Sequence, residues 1–297
     1  TGAIIKKPFD TVIPIEQIKF FPNSTKPKYI IINKKIKKNN FIRFLGSDFK
    51  KGERIIKKGE IINSQHILAF KTLGAKKILV KKKPKIVFYT TGNEISNNNK
   101  IPNWKVRNSN SHYLKSFLEN LPFNFIEKKI LRDNDLVKFK KEIKINIKSN
   151  TDLIITSGAV SAGKFDFVPK IINSFKLKYY FKGAYIRPGK PIMFAKFKKN
   201  KAFFGLPGNP ISSAACFRFF VLPFLYFSTG MHVNKPINAK IKNQLFKKKF
   251  FTRFMKGKLS FSRKGIVEFE VHKGQESFRI KPFTKSNAWG LFPNGKD

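Results

Sequence analysis

The 297-residue sequence predicts an α/β protein: a central, doubly wound, mostly parallel sheet, flanked by an N-terminal β-rich segment and a small C-terminal β domain. Three observations carry that expectation. Between residues 84 and 230, continuous apolar runs alternate with helix-spaced segments, and three of the runs lead into loops of small residues, as strands buried on both faces of a parallel sheet do. Before residue 83, short apolar stretches are punctuated by Pro8, Pro14, Pro22 and Pro27. After Gly230 no helix is obvious, and residues 255–262 and 266–271 read as a hairpin around Arg263 and Gly265. The expected domains are 1–83, 84–230 and 231–297.

In chain order, residues 11–15 and 28–33 read as strands. A helix over 64–73 carries Ile67, Leu68 and Phe70 and ends at Gly74, a natural C-cap. A short strand over 77–80 precedes a Lys-rich linker. Residues 86–90 form a buried strand, and Ser109 or Asn110 caps a helix bearing Tyr113, Leu114, Phe117, Leu118 and Leu121. Residues 123–130 are strand-like, and Asn134 or Asp135 opens a helix to about 148. Strands follow at 153–156, 178–186, 192–197 and 202–205. A helix then runs from Pro210, placed at the first helical position, to about 227.

Composition narrows the function classes. With 41% hydrophobic residues and 34 phenylalanines, the chain has material for real cores and is no disordered basic tail. The longest apolar run, around 219–227, is interrupted by Pro223 and falls short of a membrane span. The single cysteine, Cys216, excludes an intrachain disulfide framework and fits a reducing cytoplasm. The net charge of +45 invites a nucleic-acid reading. However, the lysines are spread along the whole chain rather than gathered on one stripe, so any nucleic-acid affinity is expected to be non-specific.

Ligands of open α/β sheets bind outside the carboxyl ends of the strands, where three small-residue loops fall here. Thr156-Ser157-Gly158-Ala159-Val160-Ser161-Ala162-Gly163 offers backbone N–H groups and two hydroxyls to an anion. Leu206-Pro207-Gly208-Asn209-Pro210 leads into a helix N-terminus with Ser212 and Ser213 in its first turn. Thr91-Gly92-Asn93-Glu94 supplies a carboxylate. Between them, Arg187-Pro188-Gly189-Lys190-Pro191 fixes two cations on a turn, and Lys182 lies five residues earlier. The four histidines are too dispersed for a metal site.

Together these motifs, with Asp166, resemble the molybdopterin molybdenumtransferase family, which includes the MoeA and gephyrin E-domain proteins. The flanks extend the resemblance over essentially the whole chain: Thr1-Gly2-Ala3, Ile13-Pro14-Ile15-Glu16, Gly46-Ser47-Asp48, Lys51-Gly52-Glu53, Gly274-Gln275 and Asn287-Ala288. By the same comparison, about the first hundred residues of the family pattern precede Thr1.

The resemblance implies a molybdopterin-binding type of central domain and insertion of molybdate into adenylylated molybdopterin, with release of AMP. It also implies assistance by Mg2+ and a homodimer. It places Ser157, Gly158, Ser161 and Gly163 on the pterin nucleotide, with Pro207, Gly208 and Asn209 in the adjoining loop. Lys182, Arg187, Lys190 and Ser212 go to the oxyanion. Asp133, Asp152 and Asp166 are the catalytic carboxylate candidates, and Glu94 and Asp166 the metal candidates. The chain departs from the family pattern at Ser47, Asn93 and Lys164, where acidic residues are usual, and at Ala159, where Gly is usual. The alternatives are a catalytically impaired relative that binds the pterin nucleotide or acts as a scaffold, and a basic nucleic-acid-binding protein on the same fold.

Overall fold

The structure is a computed structural model and describes residues 2–160, 167–175, 177–197, 201–245 and 250–295. It contains two compact units, residues 1–57 and 58–297. In the first, a 3-10 turn at Ile15–Gln17 leads into β1 (Ile18–Phe21), which pairs antiparallel with β2 (Tyr29–Ile32). The strand expected at 28–33 is β2. The one expected at 11–15 does not form, because Pro14 has no N–H for a ladder and the chain turns there instead. No described residue of this unit is buried, and Phe21, Tyr29 and Ile30 are each more than half exposed.

The second unit opens with α1 (Ser64–Thr72), which Asn63 caps by accepting from the His66 N–H while His66 accepts from Asn63 N–H. Residues 77–80 make no ladder; Leu79 is fully exposed among lysines. The central elements then run β3 (Lys85–Thr90), β4 (Ile95–Ser96), β5 (Val106–Arg107), α2 (Ser109–Leu118), β6 (Asn124–Glu127) and α3 (Leu136–Lys148). They continue with β7 (Leu153–Ser157), α4 (Phe167–Asn173), β8 (Leu177–Lys182), β9 (Ile186–Arg187), β10 (Met193–Phe197) and β11 (Ala202–Leu206). Helix α4 was not legible because its apolar residues follow a glycine loop and include Pro169, which is tolerated in a first helical turn.

Six strands form one sheet in the order β6-β3-β7-β11-β10-β8. The β3–β6, β3–β7 and β7–β11 ladders are parallel; β10 alone runs against its neighbours. Alternate residues serve opposite faces, as the two-residue strand period requires. Ile86, Phe88, Ile155 and Phe204 pack with Leu114 of α2 and Phe217, while Val87, Tyr89, Ile154 and Phe203 pack with Phe139 of α3 and Val168 of α4. Both faces are therefore covered by helices, as a doubly wound sheet demands.

A single helical segment, Pro210–Thr229, follows β11. It comprises α5 (Pro210–Cys216), a π-turn at Phe217–Val221 and α6 (Leu222–Thr229). The π-turn lies just before Pro223, which has no N–H to give the preceding turn. Contrary to the sequence expectation, this 20-residue helix is long and apolar enough to cross a membrane by length and composition. It is the core helix of the sheet: 56% of the apolar window is buried inside the protein. The C-terminal part holds β12 (Lys240–Ile241), β13 (Thr252–Phe261), β14 (Val267–Val271), the short α7 (Lys281–Thr284) and β15 (Ala288–Phe292). The β13–β14 pair is the expected hairpin; α7 was not foreseen because four residues show no period. Strand β9 joins this second sheet by pairing parallel with β13, and Phe219 stacks on Phe254 at 3.9 Å between centroids.

Candidate active site at the carboxyl edge of the sheet

Register brings the predicted loops to one edge. Tyr89 lies beside Thr156, Thr156 beside Gly205, Gly205 beside Met193, and Met193 beside Lys182. The carboxyl ends of β3, β7 and β11 are thus level, and Lys182 ends β8 at the same height.

The loops are tied to one another by short-range polar contacts. Asn110, buried in the first turn of α2, donates through Nδ2 to Ser157 Oγ at 2.7 Å and to the Gly208 carbonyl at 2.8 Å. Ser157 Oγ donates in turn to the Pro207 carbonyl at 3.2 Å, so the hydroxyl proton expected to serve a ligand is used inside the protein. Thr91 donates from both N and Oγ1 to the Ser157 carbonyl, and the Gly158 N–H donates to Leu206. Gly158 has φ +97°, and a Cβ there would lie 2.7 Å from the Thr91 carbonyl oxygen. Only glycine fits that approach. Ala159 is also left-handed, at φ 51°, which gives a physical reason for the glycine usual at this position.

The acidic loop is held by a residue the sequence reading did not single out. The Arg132 guanidinium donates to the carbonyls of Gly92 at 3.0 Å, Asn93 at 3.1 Å and Ile95 at 2.8 Å. Asn93 Oδ1 accepts from the Asp133 N–H at 3.1 Å, which brings the loops carrying Glu94 and Asp133 together. The Glu94 carboxylate folds back over Gly92, 2.6 Å from where a Cβ of that residue would stand. Asp152 does not join them. It precedes β7 at the opposite edge of the sheet, where its carboxylate accepts from the Lys85 N–H at 2.8 Å and serves strand pairing. Ser161, Gly163, Lys164 and Asp166 lie outside the described residues.

The cationic turn rests on α5. Gly189 is left-handed, and any side chain there would run into Cys216 Sγ. Burial pushes the Cys216 thiol far above its ordinary pKa, so it stays protonated and donates weakly to the Gly189 carbonyl at 3.5 Å. Arg187 and Lys190 are both exposed, and Ser212 is buried in the first turn of α5. Lys182 Nζ lies 3.8 Å from the centroid of the Tyr179 ring and 3.3 Å from Asn173 Oδ1.

The N-terminus of α5 receives a partner from the C-terminal sheet. Asn209 occupies the expected N-cap, but its side chain does not bond its own helix and reaches Ser277 Oγ at 3.2 Å. The Ser277 carbonyl accepts from the Ile211 N–H at 3.2 Å. The loop bearing Ser277 is fixed by Lys256, whose buried ammonium donates to the carbonyls of Gly274, Glu276 and Arg279 at 2.9, 3.1 and 3.0 Å. Burial lowers the Lys256 pKa, and the Glu276 charge opposes that shift. The Gln275 side chain pairs with both the N–H and the carbonyl of Lys256. Asn110, expected as a helix cap, lies inside α2 behind the N-cap Asn108, and its role here, like those of Arg132, Lys256 and Ser277, rests on groups distant in the chain that no local pattern marks. Among the described residues, no group of three or more His, Cys, Asp or Glu side chains is placed to hold a metal ion.

Residues 87–226 match a family model described as a probable molybdopterin binding domain, and residues 1–74 match the MoeA N-terminal region, domains I and II. A molybdopterin molybdenumtransferase of Staphylococcus aureus is 31% identical over 99% of this chain and 69% of its own length. That of Haemophilus influenzae is 30% identical over 97% of this chain and 70% of its own. In fold, a molybdopterin biosynthesis MoeA protein from Pyrococcus horikoshii superposes with a TM-score of 0.74, at 24% identity, over 100% of this chain and 70% of that one.

Proposed function

Because the chain belongs to the molybdopterin molybdenumtransferase family, and so to molybdenum cofactor biosynthesis, we propose that the carboxyl edge of its six-stranded sheet binds adenylylated molybdopterin and molybdate, inserts molybdate at the dithiolene and releases AMP as water cleaves the phosphoanhydride. The supporting observation is the level register of β3, β7 and β11, with Ser157 and Gly208 joined by Asn110.

In this reading glycine at 158 lets the loop close on Thr91 with Gly208 against it, so the nucleotide meets a tight turn at the strand ends, and Ser161 and Gly163 are assigned to the same nucleotide. Pro207 and Asn209 shape the turn, and Ser157 positions it through Asn110 rather than touching substrate. Arg187, Lys190 and Lys182 supply fixed positive charge for the oxyanion, with Ser212 at the start of α5. Fixed cations are already in place when charge develops on the phosphoanhydride oxygens, so no reorganisation is needed at that moment. Glu94, Asp133 and Asp166 are the acidic candidates for proton handling.

Magnesium does not fit the described residues. Among them Asn93 stands where an acid is usual, and Glu94 and Asp133 do not form part of a three-ligand group, so no step is routed through the ion. We further propose a homodimer, supported by the bare apolar β1–β2 pair, whose exposed Phe21, Tyr29 and Ile30 need a cover. We assign the chain to the cytoplasm, where its one buried thiol stays reduced. Equilibrium titration with adenylylated molybdopterin tests the site: wild type should bind, and Gly158→Ala should bind at least about tenfold more weakly, since the new Cβ displaces the loop. Equal binding by the two would remove the strand-edge site.

A further inference from the structure

Strands β9 and β13 run parallel, with Ile186 beside Thr252 and Arg187 beside Arg253. Residues in register on paired strands project to the same face, and neighbours along a strand to opposite faces. Ile186 and Phe254 are buried in the core with α5 and α6, so Arg187 and Arg253 stand side by side on the other face. Like charges placed directly opposite one another are destabilising.

The described residues place no carboxylate in an ion pair with either member of this pair. The Nε of Arg253 is buried and has no hydrogen-bond partner. Burial, and after it the charge of Arg187, lowers the Arg253 pKa, and no carboxylate acts in the opposite direction. A guanidinium presents a planar fork of donors suited to a tetrahedral oxyanion, and two such forks on one face match the charge of a dianion.

We propose that Arg187 and Arg253 form a clamp for a tetrahedral oxyanion, with Arg253 a binding residue contributed by the C-terminal sheet. The clamp rests on the proposed function in that Arg187 belongs to its oxyanion set, and it extends that site across the β9–β13 junction. The shared chemistry is that of molybdate and of a phosphate group, and the two are separable by titration.

The test is calorimetric titration of the full chain with sodium molybdate and, separately, with inorganic phosphate, at constant ionic strength so that the diffuse lysine charge is screened. Arg253→Gln and Arg187→Gln should each weaken binding at least about tenfold, and the double variant should lose less than the product of the two losses, because both act on one anion. Arg253→Lys, which keeps the charge without the fork, should bind more weakly than wild type but more tightly than Arg253→Gln. Arg263→Gln, in the exposed β13–β14 turn, should bind as wild type does. Without oxyanion, Arg253→Gln should melt no lower than wild type, since it removes a like-charge contact. Tighter molybdate than phosphate identifies the metal oxyanion as the occupant; the reverse identifies a phosphate of the nucleotide. Oxyanion binding by Arg253→Gln within about twofold of wild type overturns the clamp. If Arg187→Gln is then still impaired, the proposed function stands without it. Absence of binding of either anion by wild type also overturns the clamp, and AMP release decides the proposed function separately.

Discussion

Asn110 and Ser157, 47 residues apart in the chain, are joined by a buried 2.7 Å hydrogen bond that holds α2 against the end of β7. The same Asn110 amide reaches the Gly208 carbonyl, so one side chain sets the spacing of the two loops proposed to meet the nucleotide. Asn110→Ala strands both acceptors in a buried place. It should cost about 1–3 kcal/mol in urea unfolding and weaken substrate binding as well. Asn110→Asp, with an acceptor facing the Gly208 carbonyl, should cost more.

Positions 158 and 159 should respond in opposite directions to the same chemical change. Gly158→Ala forces a Cβ to 2.7 Å from backbone that cannot give way, at a left-handed φ, and should lower the denaturation midpoint clearly. Ala159→Gly relieves a left-handed alanine and should raise stability by up to about 1 kcal/mol. Chemical denaturation of the two variants beside wild type checks the pair.

Arg132 grips three carbonyls of the loop that carries Glu94. Arg132→Lys retains the charge but has no planar fork, so the loop should loosen. Turnover should fall at least about tenfold while global stability changes by only about 1–2 kcal/mol, because the contacts lie at the rim. Steady-state rates and urea midpoints, measured on one preparation, separate the two effects.

Burial raises the Cys216 thiol pKa, and it raises that of Tyr113 to about 12 against a smaller opposing pull from Arg218. For a group whose folded pKa lies above its unfolded value, stability is complete below the unfolded pKa and is lost as pH rises towards the folded one. For Cys216 that loss begins at about pH 8.5, and for Tyr113 at about pH 10. Wild type should therefore lose stability with rising pH more steeply than Cys216→Ala over this range, as read by denaturation at a series of pH values. Thiol reagents should label Cys216 only at the rate of unfolding.

The sheet and the gathering of its small-residue loops at one edge were legible because their signals are local: uninterrupted apolar strands, small-residue turns after them, and Asn209-Pro210 opening a helix. The direction of β10 was not legible, since an apolar pentapeptide reads alike in either direction. Asp152 was misplaced for a related reason: a carboxylate beside a strand does not reveal which end of the sheet it occupies until register is known. The lysine excess carried little information on partners. The instructive cations are those with positions fixed by the fold: Lys256 caged by carbonyls, Lys182 at the rim and Arg187 beside Arg253.

Release of AMP from adenylylated molybdopterin, followed with and without molybdate, tests the central claim most directly. Wild type should release AMP only when molybdate is present, with a large loss on Arg187→Gln or Lys190→Gln. Release that is absent with molybdate, or that proceeds equally without it and is unchanged by both substitutions, would contradict it.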